Sequence, residues 1–146
     1  MAAPTYRPAV EADIPAMMAI RNAVRENALV STVIDTDDYR QAMFVDGRAW
    51  VCEVDGAVVG FGCGRTVQGD IWALFLDARF EGRGIGRALM DRVEAWMFGQ
   101  GVVEIWLVTA PGTRAERLYR RRGWTELGLQ PSGELKFELR APTDPT

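Results

Sequence analysis

The sequence predicts an α/β (α+β) fold: one domain over residues 1–140 built on a mixed, mostly antiparallel twisted sheet of about seven strands, with a short tail at 141–146. Three observations predict it. The dipeptides Asp55-Gly56 and Gln68-Gly69 separate strand-like runs and favour tight antiparallel hairpins. The run ending at Leu76 passes through a glycine-rich loop into an amphipathic helix, and a nearly continuous apolar strand follows that helix. Such a strand, helix, strand unit is right-handed and parallel. With 146 residues, of which 48% are hydrophobic, the chain has enough apolar material for one core and too little length for a second full-sized domain.

Thr5 to Arg7 opens as a short strand. Asp13 is placed to N-cap a first helix with Pro15 in its first turn, and Met17, Ile20 and Val24 recur at helical spacing until about Asn27. A second helix begins at Thr36, with Asp37 and Asp38 at the positive end of its dipole, and stops at Asp46-Gly47. Ala49 to Val54, Val58 to Thr66 and Asp70 to Leu76 form a meander. The helix from Gly84 to Phe98 carries Ile85, Ala88, Leu89, Val93, Trp96 and Met97 on one stripe, with Arg87, Asp91 and Glu94 away from it. Val102 to Val108 is the buried strand. Thr113 and Glu116 have capping-box spacing and Gly123 suits a helix C-terminus, so a short helix carries Leu118 and Tyr119. Arg120-Arg121-Arg122 reads as its solvated last turn, favoured by the dipole. Trp124 to Leu129 and Leu135 to Arg140 close the sheet.

Composition excludes several chemistries. Histidine is absent, which removes Ser-His-Asp and Cys-His nucleophiles, and two cysteines cannot close a zinc site, so no metal is expected. A net charge of −3 does not suit phosphate-backbone binding, so no nucleic-acid partner is expected. No stretch approaches the apolar length of a membrane span, and no basic-then-apolar leader precedes the first strand, so a cytoplasmic protein without membrane contact is expected. In a hairpin that pairs Val54 with Ala57, Cys52 faces Val59 and Cys63 faces Arg48. The thiols are then about 13 Å apart, unable to form a disulfide, and are read as buried packing rather than as a covalent acyl carrier.

Chemistry concentrates in Leu74-Phe75-Leu76 and in Glu81-Gly82-Arg83-Gly84-Ile85-Gly86-Arg87-Ala88. Alternating glycines at a helix N-terminus leave backbone N–H groups open to an anion, and Arg83 and Arg87 add positive charge. The spacing fits neither the dinucleotide fingerprint, which would need glycine at Arg87 or Leu89, nor a P-loop, which needs Lys and a hydroxyl after Gly86.

This loop resembles the pyrophosphate motif of the GNAT superfamily of acyl-CoA-dependent N-acyltransferases, matching it at Gly84 and Gly86. Glu81 stands where that family has Gln or Arg, so its carboxylate has to turn away from the pyrophosphate. Ala115, Leu118-Tyr119 and Gly123-Trp124 resemble the family's second signature, and the order of elements is also similar. The resemblance implies helices on both sheet faces and acetyl-CoA as cosubstrate, held where the fourth and fifth strands splay. Its pantetheine would run beside Leu74, Phe75 and Leu76, its pyrophosphate would rest on amides from Arg83 to Ala88, and a backbone N–H of the fourth strand would polarise the acyl carbonyl. It further implies transfer of the acetyl group to a primary amine of a small molecule or peptide by direct attack in a ternary complex. Tyr119 would donate a proton to the departing thiolate. Asp70 and Glu26 are the candidate bases, with Glu53 or a water relay as alternatives. A homodimer is the candidate assembly. The rival readings are a non-catalytic acyl-CoA-binding regulatory module and a nucleotide-binding protein using the same loop.

Overall fold

The computed structural model describes residues 3–24 and 34–142. Seven strands form one sheet in the order β1-β2-β3-β4-β5-β7-β6: β1 Thr5–Pro8, β2 Gly47–Val54, β3 Ala57–Arg65, β4 Asp70–Leu76, β5 Glu104–Thr109, β6 Thr125–Leu129 and β7 Leu135–Arg140. Every neighbouring pair is antiparallel except β4 with β5. Helices α1 (Ile14–Val24) and α2 (Thr36–Arg40, continued by a wider helical turn at Gln41–Asp46) cover one face. Helices α3 (Ile85–Gly99) and α4 (Arg114–Arg121) cover the other. The core is accordingly double. Met17, Tyr39, Val51 and Phe61 pack under α1 and α2, while Trp50, Leu89, Val93, Ile105 and Phe137 pack under α3 and α4.

The first helix starts differently from the expected cap. Glu11–Asp13 form a single 3-10 turn ahead of α1. The Asp13 carboxylate reaches back to accept the Val10 backbone N–H at 2.7 Å and two bonds from Arg7 at 2.7 and 2.8 Å. The carboxylate ties β1 to the helix start instead of capping the next turn. At α2 the cap is Asp35, whose side chain accepts the Asp38 N–H while Asp38 accepts the Asp35 N–H.

Two bulges correct the expected registers. Val54 pairs with Ala57 as read, but an extra residue then shifts the ladder, so Cys52 faces Gly60 and Cys63 faces Ala49. The two free thiols lie on opposite faces of the sheet, Cys52 under α3 and Cys63 under α1 and α2. A bulge moves everything beyond it by one row, and composition does not announce it. The second bulge opposes Cys63 with Ala73 and Gly64 with Ile71, leaving Trp72 as the inserted residue. Trp72 and Ala73 therefore both pack on the α1 face. The connection to β4 is also longer than two residues, running from Thr66 to Gly69.

Helix α3 lies close to β3 because the strand presents glycine where the helix crosses. A Cβ on Gly64 would fall 2.5 Å from Met97 Sδ and 2.8 Å from Val93 Cγ1, and one on Gly62 would fall 3.3 Å from Val93. Overpacking a close-packed interior forces side chains off their rotamers and costs about 1–3 kcal/mol. Gly64→Ala is therefore expected to destabilise the fold by about that amount and Gly62→Ala by less, measured as shifts in the denaturant midpoint at constant slope.

Candidate functional site

The single parallel pair, β4 with β5, barely joins. Among the described residues its one register pair is Asp70 opposite Trp106, supported by the Trp106 N–H donating to Gly69 O at 3.0 Å. Beyond it the strands part, and Leu74, Phe75 and Leu76 are only half-buried although β3 still pairs with them. This opening runs along β4 toward the glycine loop.

At the end of β4, Asp77 caps a 3-10 turn (Ala78–Phe80) and the chain enters Glu81 to Gly84. Gly82 and Gly84 adopt φ of 75° and 82°, a region that a side chain disfavours. Gly84 is the N-cap of α3 and offers no side chain to the turn. The first backbone bond of the helix runs from the Ala88 N–H to Gly84 O at 3.1 Å. The N–H groups of Ile85, Gly86 and Arg87 therefore have no carbonyl within the helix, and they gather at its positive end. A Cβ on Gly86 would sit 3.4 Å from Leu76 and 3.6 Å from Leu118, so this glycine lies between the end of β4 and α4. Glu81 is turned to Arg114, with Oε2 3.0 Å from Nε, which removes the carboxylate from the amides by pairing it across to the start of α4. Arg83 lies over the Phe80 ring at 5.1 Å.

Helix α4 brings Tyr119 beneath the sheet. Thr113 caps it by accepting the Glu116 N–H, while the Glu116 carboxylate accepts the N–H of Gly112. Gly123 follows the helix with φ 85°, as its position suggested. Tyr119 is 4% exposed, its ring 5.6 Å from Trp124 and 6.1 Å from Phe137. Burial raises the phenol well above its usual range, with the Glu94 carboxylate adding to the rise and Arg122 opposing it. Arg122 departs from the expectation of a solvated arginine run. Its guanidinium donates to both Glu94 oxygens at 2.8 and 2.9 Å, and both side chains are 13% exposed. Glu94 therefore does not face solvent either.

The candidate bases fall in different places. Asp70 is buried at the joined end of β4, and both its oxygens accept from Arg65 at 2.8 and 2.6 Å. Glu53 accepts from Arg7 Nε at 2.7 Å beside β1, away from the opening. Glu26 lies outside the described residues. Burial pushes the Cys63 thiol up to about 12 and also raises Cys52, so neither offers a ready thiolate.

Two features carried no sequence signal. Arg21, on α1, is 8% exposed with its guanidinium 5.2 Å from the Trp72 ring and 5.0 Å from the Phe75 ring. A cavity of about 270 Å³ also opens between α2 and the start of β4, lined by Ile34, Asp38, Gln41, Asp46, Arg65 and Trp72. The Trp72 bulge contributes one wall of it, and a bulge is visible only in pairing.

The model of the acetyltransferase (GNAT) family matches residues 17–124, and the chain belongs to that family. It is 35% identical over 88 residues to an uncharacterized N-acetyltransferase of Methanocaldococcus jannaschii; the match covers 53% of this chain and 38% of that protein, so the chain spans well under half of that relative's length. It is similar in structure to the ribosomal-protein-alanine N-acetyltransferase of Brucella melitensis, with 25% identity, a TM-score of 0.76, and 94% and 99% of the two chains covered. The PaiA N-acetyltransferase of Thermoplasma acidophilum, solved in complex with coenzyme A, shares the fold at a TM-score of 0.79 and 13% identity, over 96% of this chain and all of the other. No helix of the described residues is long and apolar enough to cross a membrane.

The raised Tyr119 phenol sets a testable pH behaviour. Its neutral form is favoured in the folded state, so the stability it contributes is intact below the ordinary tyrosine value of about 10 and is lost as pH rises through the raised value. Ultraviolet titration of the wild type against Tyr119→Phe should show this phenol still protonated at about pH 10. A Tyr119 phenolate transition centred there would contradict the burial argument.

Proposed function

We propose that the chain transfers an acetyl group from acetyl-CoA to a primary amine of a small molecule or a peptide, by direct attack within a ternary complex. The observation that carries this reading is that β4, parted from β5 beyond its one register pair, leads through the glycine loop into the open amides at the start of α3, with Tyr119 on the neighbouring α4. The residues present fit a thioester with a pyrophosphate tail. The amides of Ile85, Gly86 and Arg87 suit the pyrophosphate, the glycines let it approach the backbone, and Arg83 and Arg87 supply charge. Leu74, Phe75 and Leu76 suit the pantetheine, and the opened edge of β4 offers backbone N–H groups to the thioester carbonyl. The coenzyme A complex of the PaiA relative supports this choice of cosubstrate.

In the step itself, the nitrogen lone pair of a neutral amine attacks the carbonyl carbon, a C–N bond forms and the C–S bond breaks. The departing sulfur keeps the bonding electrons and receives a proton from the Tyr119 hydroxyl, the ammonium proton leaves to solvent, and solvent returns a proton to the phenolate. The phenol is protonated before the reaction begins, so it has a proton to give as the C–S bond breaks. Asp70 is assigned a structural role, because both of its oxygens are committed to Arg65. Deprotonation of the acceptor is assigned to a water relay, with Glu26 as the carboxylate alternative. Two carboxylates in the cavity beside Trp72, Asp38 and Asp46, support a positively charged acceptor on that side. The ribosomal-protein-alanine enzyme of Brucella melitensis supports including a peptide N-terminus among the acceptors.

The test is thiol release from acetyl-CoA across a panel of amines, polyamines, amino acids and a short peptide beginning with alanine. Acetyl-CoA should also raise the melting temperature, as any ligand selective for the native state does. Thiol release with one amine class supports the reading; a melting shift without release on any amine marks a binding module, and no shift at millimolar acetyl-CoA refutes both. Tyr119→Phe should lower kcat by about 10²-fold with the KM for acetyl-CoA nearly unchanged. Asp70→Asn should instead lose about 1.5–3 kcal/mol of stability, by removing a charged partner of Arg65, with kcat retained in the folded fraction.

A further inference from the structure

We infer that Glu94 and Arg122 are positioning residues for Tyr119, acting through the Trp124 indole; the inference rests on the acetyl-transfer reading above. Helix α4 has eight residues, too short to hold its own place, so its position depends on what grips its ends. At the start the Arg114–Glu81 pair ties it to the glycine loop, at an exposed position. The grip at the other end is buried. Arg122, one residue past the helix, makes its two bonds to Glu94, pairs with Asp91 at 2.9 Å, and donates to the Arg87 carbonyl at 3.4 Å. Three turns of α3, including the first, are thus held by one planar group, which a point charge on a flexible stem could not do.

The connection continues to the tyrosine. Glu94 Oε2 also accepts the Trp124 indole N–H at 3.2 Å, and the Trp124 backbone N–H donates to the Tyr119 carbonyl at 3.0 Å. The two rings pack at 5.6 Å with an interplanar angle of 55°. Glu94 therefore fixes the indole, and the indole is one wall of the Tyr119 slot. Since α3 also carries the amides proposed to bind the pyrophosphate, one carboxylate sets the distance between cosubstrate tail and proton donor. Misplacing a reacting group by about 1 Å can cost on the order of 10²-fold in rate, whereas a displaced donor leaves tail binding intact. A buried ion pair adds little net stability over an apolar packing, so the geometric role is the one that accounts for it.

The experiment measures kcat and KM for Glu94→Gln, Trp124→Phe, Arg122→Lys and Arg122→Met, each also in the Tyr119→Phe background. Thiol release from acetyl-CoA is followed with the alanine peptide or the fastest panel amine, and melting temperatures report the folded fraction. Glu94→Gln and Trp124→Phe should each lower kcat by about 10-fold with the acetyl-CoA KM within about two-fold, and Arg122→Lys should recover part of what Arg122→Met loses. In the Tyr119→Phe background the Glu94→Gln loss should vanish, because the hydroxyl it positions is gone. Wild-type kcat in folded Trp124→Phe and Glu94→Gln, or an equal loss in both backgrounds, would overturn the positioning role alone. Full turnover in Tyr119→Phe itself would overturn the proton-donor reading and this inference with it. Should Glu94→Gln not fold, Trp124→Phe decides: it keeps an aromatic ring against Tyr119 and removes the N–H, and the packing given up in replacing the two-ring indole by a phenyl is read in its melting temperature.

Discussion

The depth at which α3 lies on the sheet governs this molecule. Gly62 and Gly64 remove the side chains that would otherwise stand between β3 and the helix, and Val93 and Met97 descend into that space. Lifting the helix would raise its N-terminus with it, and the amides of Ile85 to Arg87 would leave their place beside Leu76. Close packing of this kind has no soft direction, because an interior at crystal-like density transmits a displacement rather than absorbing it. The proposed anion site is therefore set by contacts made about two to three turns further along the helix.

Helix α4 belongs to the same arrangement but is held by polar groups. Apolar burial orients Tyr119 toward Trp124 and Phe137, whereas Arg114 and Arg122 fix the two ends of the helix along α3. A planar guanidinium paired with a carboxylate through two bonds adds a directional constraint to that packing. The departure at Glu81 is understandable in these terms. A carboxylate in the loop would repel a phosphate if left free, and here it is used as an attachment point for Arg114.

Much of this was legible in the chain. The element order, the glycine loop, the cap at Thr113 and the left-handed Gly123 all follow from local rules in which a few neighbouring residues decide the outcome. The loop's proposed role is readable for the same reason, since an anion cradle of backbone amides is marked by missing side chains. The illegible parts depend on pairing. The bulges at Val59 and Trp72 arise from how two strands fit one another, and with the first went the predicted partners of Cys52 and Cys63. Arg122 looked like the third member of a solvated run because its partner Glu94 is 28 residues away, on a helix position that periodicity alone assigned to solvent. Asp13 was misplaced by one turn because Arg7, across β1, competes for its carboxylate.

The scarcity of side-chain chemistry at the opened edge of β4 bears on how such a protein changes over time. Where recognition is done by main-chain amides, no single codon encodes it, and a mutation can spoil the site only by moving the strand or filling a glycine. Sequence can then drift until only 13% of positions agree with a protein of the same fold. On the proposed acceptor side selection would act on ordinary side chains such as Trp72, Asp38 and Asp46, which can vary one at a time. A cradle of main-chain amides for one substrate and an editable pocket for the other would thus share one sheet.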